Sequence, residues 1–193
     1  MKYDLAHLTQ EPDQKVIGPV QDDEALLLYA LCRVMRVGLV VEIGVQSGYS
    51  TRNFLEAVRP HGGQVIGIDV CDQGFRAPGF TFIGDSAGNI DPDRIPAEIG
   101  LVFFDSHDLD AQQRFTNKMS YAKKINARTV LAVHDTNLHP DGVRHQPLER
   151  VFSNWLVDHE WSPFHAHTDQ SVHGPSLPFR HGLSLFCKNK YLP

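Results

Sequence analysis

Hydrophobic residues along this chain gather in short runs, and polar or glycine-rich stretches separate them. The clearest runs are Leu39-Val40-Val41-Glu42-Ile43, Gln64-Val65-Ile66-Gly67-Ile68-Asp69, Phe80-Thr81-Phe82-Ile83, Leu101-Val102-Phe103-Phe104 and Thr129-Val130-Leu131-Ala132-Val133. Their brevity and their content of β-branched and aromatic residues predict buried strands. Between them the period lengthens. Asp22, Asp23 and Glu24 suit a first helical turn, and Leu27, Ala30, Leu31, Val34 and Met35 follow at helical spacing. A helix should therefore run to about Val37 and cover the sheet. Residues 51–58, 110–127 and 148–158 read as further helices, while 73–79 and 91–96 are turn-rich links.

Strand and helix in alternation predict right-handed crossovers and an α/β fold: a doubly wound, Rossmann-like, mostly parallel sheet. The end of the chain breaks this rhythm. Residues 161–167 and 181–187 are strand-like and have Gly-Pro-Ser-Leu-Pro, but no helix, between them. That pattern predicts a C-terminal antiparallel hairpin and brings the sheet to seven strands. The loop from Asp169 to Arg180 is expected to be a mobile cover over a substrate. Residues 1–19 are polar and contain Pro12 and Pro19, so they read as an arm or lid. Residues 20–193 should form a single domain, since 193 residues at 41% hydrophobic content suffice for one full core.

The passage from Glu42 to Thr51 is the most informative, because an apolar run ends in an acid and opens into glycines and hydroxyls. Gly44 and Gly48 can take backbone angles closed to other residues and let a ligand approach the main chain. Gln46 and Ser47 lie on the turn between them, and Tyr49, Ser50 and Thr51 can start a helix whose free N–H groups attract an anion. A dinucleotide fingerprint would read G-x-G-x-x-G, but position 46 is Gln and the spacing is G-x-x-x-G. A nicotinamide cofactor is disfavoured on that ground. Further along, Asp69, Asp85 and Asp105 stand at or just beyond the ends of three successive runs, where open α/β sheets place their ligands.

Glu42-Ile43-Gly44 with Gly48 resembles the first motif of class I S-adenosylmethionine-dependent methyltransferases, and the ordered acids extend the resemblance over about residues 38–187. The resemblance implies that Glu42, Gly44, Gln46, Ser47, Gly48, Tyr49 and Ser50 cradle the methionine end of S-adenosylmethionine. It implies that Asp69 accepts the ribose hydroxyls. It also places Gly84, Asp85 and Ser86 at the adenine.

Transfer of a methyl group to a hydroxyl needs a place for the departing proton, supplied by a base or a metal. Two clusters offer candidates: Asp105-Ser106-His107-Asp108 and His134-Asp135-Thr136-Asn137. Carboxylates suit Mg²⁺, Mn²⁺ or Ca²⁺, and imidazole shifts the preference toward transition metals. Here the chain is similar to metal-dependent small-molecule O-methyltransferases of the catechol, macrolide-sugar and cephalosporin-hydroxylase-like groups. That similarity implies a divalent cation, Mg²⁺ or another, held by Asp105 with His134 and Asp135. His107 is then the candidate catalytic base, working with Asp105. Relatives often show an acid-His order in the turn after the fourth strand, whereas Ser106-His107-Asp108 reverses it.

Charge removes one class of partner. A net charge of −5 argues against a nucleic-acid backbone, and the implied partner is a small-molecule acceptor. No apolar run is long enough for a membrane span and the first residues begin no secretory signal, so a cytoplasmic enzyme with no membrane partner is expected. A homo-oligomer is compatible with the sequence. Cys32, Cys71 and Cys187 are scattered, and read as small buried hydrophobes in a reducing compartment. Two rival functions are an NAD(P)-binding Rossmann oxidoreductase and a non-catalytic cofactor-binding protein of the same fold.

Overall fold

The computed structural model describes residues 20, 22–136, 147–166 and 182–188. In chain order the elements are α1 (Asp22–Met35), β1 (Leu39–Ile43), α2 (Tyr49–Val58), β2 (Gln64–Asp69), β3 (Phe80–Gly84), β4 (Leu101–Phe104), α3 (Leu109–Tyr121), β5 (Val130–His134), α4 (Pro147–Asp158), β6 (Trp161–His165) and β7 (Leu183–Lys188). The strands form one sheet in the order β3-β2-β1-β4-β5-β7-β6. The first five pair in parallel, and β7 runs antiparallel to both β5 and β6. This is the expected doubly wound sheet with its C-terminal hairpin.

Both faces of the central strands β1, β4 and β5 are buried, which is why these strands read as apolar runs rather than as alternating ones. On one face Val41, Ile43, Ile66, Ile68, Val102, Phe104, Leu131 and Val133 pack with Phe115 and Met119 of α3 and with Phe152 and Leu156 of α4. On the other, Val40, Val65, Leu101, Phe103, Val130 and Ala132 pack under Leu28 and Cys32 of α1 and Phe54 and Val58 of α2. Successive side chains alternate faces. Glu42, Asp105 and His134 continue the second set at the carboxyl ends of β1, β4 and β5, and so are aimed toward α1 and α2.

As the turn-rich links at 73–79 and 91–96 suggested, neither β2–β3 nor β3–β4 is linked by an α-helix, and single 3-10 turns at Ala87–Asn89 and Pro92–Arg94 lie on the second link; two other details differ from expectation. On the first link Asp72 accepts Arg76 Nη1 at 3.0 Å, Arg76 Nη2 at 2.6 Å and Gly74 N–H at 2.8 Å, and the loop folds on itself. Helix α3 stops at Tyr121 rather than running to Ala127, because Lys123 turns left-handed at φ 59°. Thr129 Oγ1 then holds the following turn, accepting from Asn126 N–H and donating to the Ile99 carbonyl. Of the cysteines only Cys32 is buried, its thiol pushed up to about 12 by burial; Cys71 and Cys187 are exposed. All three are free. The arm at 1–19, Asn137 and the 169–180 cover lie outside the described residues, and among those described no helix is long and apolar enough to cross a membrane.

Candidate functional site

Strand β1 leads into a turn built by its two glycines. Gly44 has φ 92°, and a Cβ there would lie 2.2 Å from the Asp105 carbonyl oxygen. Its first role is thus to let the ends of β1 and β4 close on each other. Gly48 caps α2 at φ 78°, and the Phe75 ring of the β2–β3 loop lies over it. Between them Gln46, itself left-handed at φ 44°, and Ser47 are exposed, and Tyr49 is half-buried.

Two acids hold this turn in place. Glu42 is fully buried, and its two oxygens accept the hydroxyls of Ser50 and Thr51 from the first turn of α2. Burial pushes its carboxyl up to about 8 against the opposing pull of those hydroxyls, and the nearby Asp105 and Asp69 add to the rise. The expectation that Glu42 touches a cofactor needs correction here, as does that for Ser50: both face inward, bonded to each other, and shape the turn from beneath. Asp69, at the end of β2, accepts Val45 N–H at 2.8 Å and Gln46 N–H at 3.2 Å on one oxygen and Cys71 N–H at 3.0 Å on the other. It is half-buried, and it ties the glycine turn to the neighbouring strand. After β3, Asp85 accepts Ser86 N–H and Asn89 Nδ2, with Arg94 at 3.9 Å, while Gly84 is exposed and Ser86 half-buried.

The second group lies one and two strands over. Asp105 Oδ1 is 3.0 Å from His134 Nδ1, and Asp135 Oδ1 is 3.5 Å from the same nitrogen. Asp135 sits at φ 58°, a left-handed turn that brings its side chain back beside its neighbour's. One donor atom from each of the three residues lies within 4.8 Å of the other two, about the width spanned across an ion with oxygen bonds of roughly 2.0–2.6 Å. The mixed carboxylate and imidazole donors fit a divalent cation.

His134 is 1% exposed, and its far nitrogen, Nε2, is 3.3 Å from Glu24 Oε2 of α1. Burial alone would push the imidazole down, but the charges of Asp105 and Asp135 and its bonds to Asp105 and Glu24 hold it well above its ordinary value. Glu24, itself 2% exposed, was not singled out in the sequence, where it looked like a first-turn acid. The signal was its place four residues before Leu28 on the covered face of α1.

His107 is half-exposed, with Nε2 3.6 Å from Asp135 Oδ2 at the edge of this cluster. Asp108 is instead the cap of α3, accepting Ala111 N–H at 3.0 Å, which gives the reversed order Ser106-His107-Asp108 a local structural reason.

A family model described as a methyltransferase domain matches residues 41–136, which span the glycine turn, Asp69, Asp85 and the Asp105–His134–Asp135 cluster. This is a class I, S-adenosylmethionine-dependent methyltransferase. The methyltransferase resembles the O-methyltransferase TomG of Streptomyces achromogenes, involved in tomaymycin synthesis and solved with SAM. There the TM-score is 0.63 at 20% identity, covering 89% of this chain and 82% of that one. An SAH-bound methyltransferase of Podospora anserina gives 0.65 at 14% identity, covering 96% and 87%. An SAH complex of a Bacillus cereus O-methyltransferase gives 0.64 at 15%, covering 90% and 84%. At these identities the likeness is one of fold. No curated protein matches the methyltransferase.

Proposed function

We propose that this methyltransferase transfers the methyl group of S-adenosylmethionine to a hydroxyl of a small molecule, assisted by a divalent cation held by Asp105, His134 and Asp135. The observation that carries the reading is the convergence of those three donors at the ends of β4 and β5, with Asp105 packed by its backbone against Gly44 of the glycine turn. A metal-assisted oxygen acceptor and a methyl donor would then sit side by side. The names of the TomG and Bacillus neighbours, both O-methyltransferases, support oxygen as the acceptor atom. Three free cysteines suit a cytoplasmic setting.

When bound, the cation supplies Lewis-acid stabilisation of the hydroxyl's developing negative charge. The remaining work falls to side chains. Gln46, Ser47 and Tyr49 line the methionine end, Asp69 offers its remaining acceptor capacity to the ribose, and Asp85 stands at the adenine end. Asp105 and Asp135 orient the hydroxyl toward the sulfonium, and such positioning supplies much of the rate. His107, beside Asp135, accepts the proton.

The test is transfer of labelled methyl groups from S-adenosylmethionine to a panel of catechols, phenols and sugar hydroxyls. Activity should vanish with EDTA and return with Mn²⁺ or Mg²⁺, and His107→Ala should lower turnover about 10²–10⁴-fold with cofactor affinity intact. Transfer indifferent to EDTA would reject the metal, and transfer indifferent to His107→Ala would reject the base.

A further inference from the structure

Beyond Asp135 the sheet edge changes character from acidic to donor-rich. Thr136, Arg150, Ser153, Asn154 and His165 line a pocket of about 160 Å³. They come from just past the end of β5, the middle of α4 and the end of β6, so three separate parts of the fold converge on it. Every lining side chain can donate a hydrogen bond, one carries a fixed positive charge, and none is a carboxylate. Ser153 is 6% exposed, and its buried hydroxyl has no hydrogen-bond partner among the described residues. Ser184 braces the opposite wall: its hydroxyl is 2.8 Å from Thr136 Oγ1 and 2.7 Å from His165 Nδ1. A larger hollow of about 340 Å³ near Trp155 and Trp161 contains Asp158, Glu160 and Lys188, charges of both signs, and lies where β6 begins, at the other edge of the sheet.

Position gives the pocket its meaning. Along the carboxyl edge the order is the glycine turn on β1, the metal-ligand cluster on β4 and β5, then this pocket over β5, β7 and β6. Asp105 and His134 are aimed toward α1 and α2, whereas Arg150 and Ser153 come from α4 on the other face, so one occupant would reach from cluster to pocket over the carboxyl edge at Asp135–Thr136. Thr136 directly follows Asp135 and belongs to its wall. A cavity of roughly 150 Å³ takes a group as large as benzene, so a carboxylate or phosphate head fits.

We propose that this pocket binds an anionic group, a carboxylate or a phosphate monoester, of the acceptor whose hydroxyl is methylated. The acceptor class is then a hydroxy acid or hydroxylated phosphate ester. This rests on the hydroxyl standing at Asp105 and Asp135, as argued above. The same chemistry explains a net-negative enzyme with an acidic cluster accepting a negative substrate: Arg150 offsets the repulsion where the anion sits.

The test is calorimetric titration of the full chain, loaded with SAH, using inorganic phosphate and benzoate as probes. At least one should bind saturably, phosphate alone marking a phosphate ester and benzoate alone a carboxylate. Arg150→Gln should weaken that binding roughly tenfold or more, Arg150→Lys should recover part of it, and Arg128→Gln, on an exposed turn elsewhere, should match wild type. Saturation by neither probe, or equal affinities in the Arg150→Gln and Arg128→Gln proteins, would overturn the proposal. SAH titrated into cofactor-free wild-type protein separates the two readings. Anion binding without SAH binding would refute the methyltransferase account and the acceptor assignment together, whereas SAH binding without anion binding would refute the pocket alone.

Discussion

Glu42 is an acid held where water does not reach, and its protonation is coupled to folding. Its carboxyl, at about 8 in the folded chain, lies above its ordinary 4.5. Below pH 4.5 both folded and unfolded chains carry the proton and nothing is lost. As pH rises from about 4.5 to about 8 the unfolded chain ionises first, so stability falls through that window and levels off above it. Glu42→Gln removes this dependence. Urea midpoints should show wild type losing ground to the variant between those pH values, and parallel curves would contradict the assignment. Glu24 acts at a distance from the reaction. As a carboxylate it can only accept, so Nε2 of His134 would donate to it, and Nδ1 faces Asp105 and Asp135, where the proposed cation would replace a proton. Glu24→Gln should weaken Mn²⁺ binding about 10–100-fold, read by paramagnetic resonance of free Mn²⁺. Unchanged affinity would reduce Glu24 to a packing residue.

The elements meet at two points that substitution can probe. Gly44→Ala would place a methyl group against the Asp105 carbonyl at a positive φ, and the combined strain and overpacking should cost about 2–4 kcal/mol in a denaturation experiment. Asp69→Ala removes the carboxylate that joins β2 to the glycine turn and is proposed to face the ribose. It should weaken S-adenosylmethionine binding by about 1.5–3 kcal/mol in calorimetry, and a smaller effect would place the ribose elsewhere. The central strands β1, β4 and β5 were legible because each is a short apolar run buried on both faces, and the glycine turn because Gly44 and Gly48 sit at positive φ with no room for a Cβ. The end of α3 was not legible. Residues 122–127 are compatible with a helix, and it is the turn at Lys123, with Thr129 bonded to Ile99 across the fold, that ends it. Glu24 was hidden for a similar reason: its partner, His134, lies 110 positions away. The inward turn of Glu42 was readable in principle, since it shares its strand face with Val40 and so points under α2.

At the scale of the whole molecule, the sheet order sets out in sequence the glycine turn, the proposed metal-ligand cluster and the proposed anion pocket, all along the carboxyl edge. The central claim is that the first two of these work on the same reacting atoms. Crystals grown with SAH and Mn²⁺, with diffraction collected at an energy where manganese scatters anomalously, test it most directly. SAH should lie over the Gly44–Tyr49 turn, with one anomalous peak bonded to Asp105, His134 Nδ1 and Asp135. SAH bound away from that turn, or manganese absent from those three side chains at saturating concentration, would contradict it.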